Sequence, residues 1–180
     1  ILFEIPLRIN MGGPEVEDAN GAIWLGDELG PGDALNIRPD DGGGTNSIAN
    51  WCAPDILSIE ALGFDPFGPM AGALSSIRWD NGGDAIAFRI ELPVPDGEYL
   101  VNLFFFECCC DNRHVKIELE GTIVEGDVHR AAFAEARAQV GRYSFPAVEV
   151  EDRSLSIGLL PCRECPGATD VNSIISAIEV

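Results

Sequence analysis

The chain has 180 residues, 46% of them hydrophobic, and its 30 acidic and 11 basic side chains leave a net charge of −19. That length suits one domain, and so much apolar material supplies a packed core and excludes a disordered chain. A surface this negative repels phosphate backbones and anionic lipid, which argues against nucleic acid and membrane insertion and suits neutral sugars, basic proteins or calcium.

Residues 11–84 are rich in turn formers: Gly12-Gly13-Pro14, Gly30-Pro31-Gly32, Asp40-Asp41-Gly42-Gly43-Gly44 and Asn81-Gly82-Gly83. They predict loops over short strands. Residues 85–92 alternate Ile86, Phe88, Ile90 and Leu92 with Ala87, Arg89 and Glu91, the period of a strand with one dry face. Pro93-Val94-Pro95-Asp96-Gly97 reads as a turn, and 99–106 as a returning strand buried on both faces, the two forming a hairpin. Residues 114–119 alternate again with Val115, Ile117 and Leu119 inward, which puts His114 on the wet phase. Strands follow at 122–124, 145–150, 155–159 and 174–180, whereas the Ala-rich stretch 130–140 predicts a helix stopped by Gly141, or, with Gly126-Asp127 just ahead, an irregular strand crossing. Short strands spaced by about ten residues indicate an all-β, antiparallel sandwich of jelly-roll type, a single domain over 1–180. Apolar runs such as 103–106 are too short to span a bilayer. With neither an initiator Met nor a leader at its start, the chain reads as a piece of a larger secreted or cell-surface protein.

Six cysteines, Cys52, Cys108, Cys109, Cys110, Cys162 and Cys165, read as up to three disulfides in an oxidising compartment. Adjacent cysteines seldom bond each other, so partners are expected across loops. The rival reading is zinc, for which Cys162-x-x-Cys165 has ligand spacing and Cys108 with Cys110 would supply the second pair. No Asn-x-Ser/Thr sequon occurs. Asp80, Asp84, Asp40 and Asp41 are the calcium candidates, although turn chemistry explains them equally, and no other cofactor is expected. His114 and His129 lie near Asp111 and Asp127 in sequence, but no Gly-x-Ser-x-Gly nucleophile motif accompanies them. Cys108 with His114 would suit thiol catalysis only if Cys108 were not in a disulfide. Among the tryptophans, Trp24 reads as core, and Trp51 and Trp79, beside turn residues, as either packing or stacking platforms.

Three stretches together resemble the malectin family of di-glucose-binding β-sandwiches. Arg8-Ile9-Asn10-Met11-Gly12-Gly13-Pro14, with Asp18, Gly21 and Trp24, is similar to the family's opening strand. Ile77-Arg78-Trp79, Phe88-Arg89-Ile90, the proline-led turn into Gly97-Glu98-Tyr99 and Phe105-Phe106-Glu107 are similar to its central hairpin; Ser176-Ala177-Ile178-Glu179-Val180 is similar to its closing strand. The resemblance implies a non-catalytic extracellular sugar binder with its site in loops at one end, where aromatic faces stack on pyranose rings and carboxylates accept hydroxyl hydrogen bonds. It carries ligand roles to Trp79 and Asp170; Trp51 and Tyr99 are added as rim candidates. Strand order puts the Cys108–Cys110 and Cys162–Cys165 loops at the same end of the sandwich, and the resemblance implies that Cys52 reaches it too, so all six cysteines are expected there. The departure is Cys109 and Cys110, which stand where the family has two clamping aromatics, so the family's sugar preference does not transfer. Two functions follow as expectations: a carbohydrate-binding module whose partner is a glycan or glycoprotein, or a disulfide-stapled adhesive module that assembles with other copies or neighbouring domains.

Overall fold

The computed structural model describes residues 2–27, 37–39, 46–50, 52–80, 88–129, 138–170 and 172–180, with backbone alone for 37–39, 46–50 and 80. Among them the chain runs through Arg8–Asn10 (β1), Val16–Glu17 (β2), Ile23–Gly26 (β3), Ile37–Pro39 (β4) and Asn46–Asn50 (β5). Two short helices follow, Ile56–Ala61 (α1) and Pro69–Ser75 (α2). Then come Ser76–Asp80 (β6), Phe88–Leu92 (β7), Gly97–Phe106 (β8), His114–Leu119 (β9) and Thr122–His129 (β10). The chain closes with Val140–Val150 (β11), Leu155–Pro161 (β12), Ile174–Ile175 (β13) and Ala177–Glu179 (β14). It is an all-β sandwich. One sheet has the order β11-β8-β14-β1-β3-β2, a second β10-β9-β12-β7-β4, and a small third β13-β6-β5.

The period-two strands behave as their pattern requires. Phe88, Ile90 and Leu92 of β7, Ile117 and Leu119 of β9, and Leu155, Ile157 and Leu159 of β12 are buried and belong to one core cluster. Residues 101–106 of β8 are buried throughout. Phe104 lies edge-on to Trp24 at 5.8 Å between ring centres, and Phe64, from the loop between the helices, lies 5.8 Å from Trp24. Trp24 is therefore core.

Three expectations are corrected. β7 and β8 are not a hairpin: β7 pairs with β12 and β4, and β8 with β11 and β14, so the segment between them crosses from one sheet to the other. Two prolines without N–H groups cannot extend a ladder, and Val94 between them is fully buried. The stretch 130–140 does not end as a helix, because Ala138 has φ +69° and Val140 already opens β11; 130–137 lie outside the described residues. The region before residue 84 also holds two helices. α1 is capped by the Asp55 carboxylate, which accepts the Ser58 N–H at 2.9 Å, and α2 starts on Pro69.

The Asn10-Met11-Gly12-Gly13 motif has a packing reason. Gly12 has φ +78°, and a Cβ there would lie 2.3 Å from the Ile77 carbonyl oxygen; at Gly13 it would lie 2.4 Å from Asn10 Nδ2. The loop after β1 thus presses on β6 and brings in Asp27, whose N–H donates to the Gly13 carbonyl at 2.9 Å. Arg78, fully buried, donates from Nε to Asp27 Oδ2 at 2.8 Å and from Nη2 to the Asp27 carbonyl at 3.2 Å and to Oδ1.

Asp18 organises the β2–β3 turn, accepting from the Asn20 N–H at 2.9 Å, the Ala22 N–H at 3.0 Å and Trp24 Nε1 at 3.3 Å. Partial desolvation raises its pKa, but these bonds, with the charge of Arg8, outweigh it and hold the carboxyl below its ordinary value. A lowered folded-state pKa contributes stability above the unfolded value, and that stability is lost as pH falls through the folded value. Asp18→Asn is accordingly expected to lower the urea midpoint at neutral pH, with a deficit that shrinks on acidification below about pH 4. Urea titrations across pH 2–7 check this; a deficit independent of pH contradicts it.

Candidate functional site

The loops after β8 and β12 meet at one end of the sandwich, together with the segment leading into α1. Glu107 is the hub. Only 3% exposed, it accepts the N–H groups of Cys109 and Cys110 on Oε1 at 2.9 and 3.0 Å, and Arg113 Nε on Oε2 at 2.7 Å. Arg113, also buried, reaches Asp170 Oδ2 at 3.0 Å and the Asn172 carbonyl. The Asn112 carbonyl accepts from Thr169 and Asp170 N–H at 3.0 and 3.1 Å. Across the rim, Ala138 N–H donates to the Glu107 carbonyl at 3.2 Å, and Asp55 N–H to the Ala138 carbonyl at 2.7 Å. Charge-assisted bonds between buried partners hold these loops in one arrangement.

All six cysteines are oxidised: Cys52–Cys108, Cys109–Cys110 and Cys162–Cys165. The expectation that neighbours avoid each other is overturned at Cys109–Cys110, whose Cα atoms are 3.7 Å apart. Two consecutive N–H groups gathered on one Glu107 oxygen curl this loop tightly, and Cys108, the other cysteine in the run, is already tied to Cys52. Cys162–Cys165 closes within its own turn. That pairing removes Cys108 and Cys110 as a second zinc pair and removes the Cys108 thiol from any catalysis with His114.

His114 is also corrected. Far from solvated, it is 5% exposed; its carbonyl accepts the Cys162 N–H at 2.9 Å and Nδ1 bonds Asp127 Oδ1 at 2.8 Å. Its ring stacks on His129 with centres 4.0 Å apart and planes 9° apart, and His129 Nε2 donates to the Asp111 carbonyl at 2.7 Å. The Cys162–Cys165 turn and the β10 partner cover a position that alternation alone assigns to water.

The other candidates fall as follows. Trp79 is half-buried on β6, opposite Ile174 of β13, four positions from Asp170. Among the described residues, its indole Nε1 is buried without a hydrogen-bond partner, as is Arg78 Nη1. Asp170 is part of the rim, where Oδ2 faces Arg113 and Oδ1 accepts the Asn172 N–H at 2.9 Å. Tyr99 lies elsewhere: it is near the start of β8, its hydroxyl donating to the Pro95 carbonyl at 2.6 Å, and nine residues of extended chain put roughly 30 Å between it and Cys108. Trp51, Asp40, Asp41 and Asp84 lie outside the described residues, and Asp80 is described in backbone only, facing Asn46. Beside the rim, between α1 and α2, Cys52, Pro54, Ile56, Pro66, Phe67 and Ala71 line an open groove of about 560 Å³, with Phe67 82% exposed.

No family model matches the chain, and no curated protein matches it. Among solved structures, the extracellular domain of ANXUR2 from Arabidopsis thaliana superposes with a TM-score of 0.72 at 16% identity, over 96% of this chain and 47% of that one. A chain in the complex of the plant peptide RALF23 with FER and LLG2 gives 0.67 at 17% identity, over 96% and 47%. Bacteroides uniformis beta-glucuronidase gives 0.65 at 14% identity, over 97% of this chain but 17% of the enzyme. The likeness is one of fold. The chain spans about half of the receptor ectodomain chains and under a fifth of the enzyme. Its fold is shared with plant receptor-like kinase ectodomains, and its three disulfides agree with an extracellular setting. No helix among the described residues is long and apolar enough to cross a membrane.

Proposed function

We propose that the chain is a malectin-like, non-catalytic carbohydrate-binding module, one domain of a larger extracellular or cell-surface protein, with its site at the stapled rim. The observation that carries this reading is Trp79, a half-buried aromatic on β6, paired with the strand that follows the Asp170 loop, whose indole N–H has no acceptor among the described residues. An aromatic face and a carboxylate such as that of Asp170, which stands four residues before the strand partner of Trp79, are the groups that take a pyranose ring and its hydroxyls. The fixed loops lower the ordering cost of binding. The Cys109–Cys110 pair, exposed at Cys109 and half-buried at Cys110, supplies an apolar surface but no π-face, so preference for a particular sugar differs from that of an aromatic clamp. Tyr99, at the other end of β8, has no part in the proposed site.

Calorimetric titration with glucose disaccharides, guided by a glycan array, tests it. Binding is expected, weakened at least about tenfold by Trp79→Ala, the value of one stacking face at about 1.4 kcal/mol. A specific observation favours a second reading, protein assembly: the apolar groove with its exposed Phe67, in a fold that FER presents in a complex with a peptide and LLG2. No heat and no array signal for the wild-type domain would leave that reading standing.

A further inference from the structure

The geometry points to a metal site at the Cys162–Cys165 turn that the disulfide keeps shut: once reduced, the two cysteines join His114 and Asp127 around one divalent ion of the zinc class. A nitrogen of His114, a carboxylate oxygen of Asp127 and Cys165 Sγ already lie within 4.8 Å of one another. A tetrahedral ion with bonds of about 2.0–2.3 Å sets its ligands roughly 3.3–3.8 Å apart, so Cys165 has to draw in while the His114–Asp127 hydrogen bond, at 2.8 Å, opens to admit the ion. Cys162, 2% exposed, stands outside that group while the disulfide holds it to Cys165; freed by reduction, its sulfur supplies the fourth donor in the Cys-x-x-Cys spacing that zinc turns use.

The support around these groups is in place. The Cys162 N–H is held by the His114 carbonyl at 2.9 Å, and the Cys165 N–H by the Cys162 carbonyl at 3.3 Å. The His114 ring is held by stacking on His129, with planes 9° apart, an orientation imposed before any ion arrives, and the 2.8 Å bond to Asp127 keeps the carboxylate beside it. A net charge of −19 concentrates cations around the domain. Oxidation blocks the site because a disulfide sulfur is no thiolate. A bond that closes so small a loop also draws less stability from chain entropy than Cys52–Cys108, which spans 56 positions, and so is the cheaper of the two to open.

A dithiol reductant gives two electrons and two protons; the Cys162–Cys165 bond breaks to two thiols while the reductant closes its own disulfide. The ion then displaces both thiol protons to solvent, leaving a neutral imidazole, a carboxylate and two thiolates around it.

Cobalt(II) reports the site, since thiolate ligation in a tetrahedral field gives a charge-transfer band and strong visible transitions. The protein is titrated with Co2+ as isolated and after reduction by a phosphine, which does not compete as a thiol ligand, with far-ultraviolet circular dichroism following the fold. The expected result is one Co2+ per chain with both bands in the reduced protein, none in the oxidised protein, and displacement by Zn2+. Cys165→Ser and His114→Gln abolish the bands, whereas the double variant Cys109→Ser, Cys110→Ser keeps them. Bands in the oxidised protein, their survival in Cys165→Ser, their loss in the Cys109/Cys110 variant, or a reduced chain that is unfolded or fails to bind would each overturn the proposal.

Discussion

Arg78→Met is expected to lower the unfolding free energy by about 3–5 kcal/mol. Arg78 is fully buried and its guanidinium is matched to Asp27, itself 5% exposed. Removing the cation strips the guanidinium bonds from a carboxylate in the interior, to which the Gly12 N–H contact at 3.4 Å is long. The pair is a poor source of net stability, because desolvation of both ions offsets their attraction, yet either half alone is costly. Arg78→Met with Asp27→Leu should therefore recover much of the loss. Guanidinium titrations of the three variants decide it: a single variant within about 1 kcal/mol of wild type would contradict the burial of the pair.

Cys52→Ser is the second large effect. Its bond to Cys108 closes a loop of 56 positions, for which chain entropy gives about 4 kcal/mol. It is also the disulfide that ties the segment before α1 to the loop after β8. Its loss should lower the unfolding midpoint strongly and raise amide exchange at residues 52–55 and 108–113, with β7, β9 and β12 unchanged in protection. A midpoint equal to that of wild type would mean that Glu107, Arg113 and Asp170 hold the rim without sulfur.

The strands were legible where one face is wet. Ile117 and Leu119 alternate with Lys116 and Glu118 because only one side of β9 meets the core. The two-proline crossing was not legible, since a turn and an arch between sheets use the same residues and differ only in where the next strand pairs. α1 and α2 are each under two turns, embedded in Gly and Pro, too short for a helical period to register. At the rim, the sequence exposes the cysteines but not their pairing. The Glu107–Arg113–Asp170 chain was missed because its acid ends stand 63 positions apart and meet only through β9 and the loop after β12. The signal that was available is Arg113, a lone cation between a cysteine-rich loop and a strand in a chain with only 11 basic residues. His114 misled for a similar reason: alternation reports the sheet, not the turn laid over its edge.

The central claim is that sulfur bonds and buried ion pairs fix one end of the sandwich as the surface that meets a sugar. It is tested most directly by amide chemical-shift mapping during titration with the tightest-binding glycan. The account predicts perturbations concentrated at Trp79, residues 108–113 and 169–172, with Tyr99 and the strands around it silent. Shifts centred on Tyr99, or on the α1–α2 groove with the rim unmoved, would contradict it.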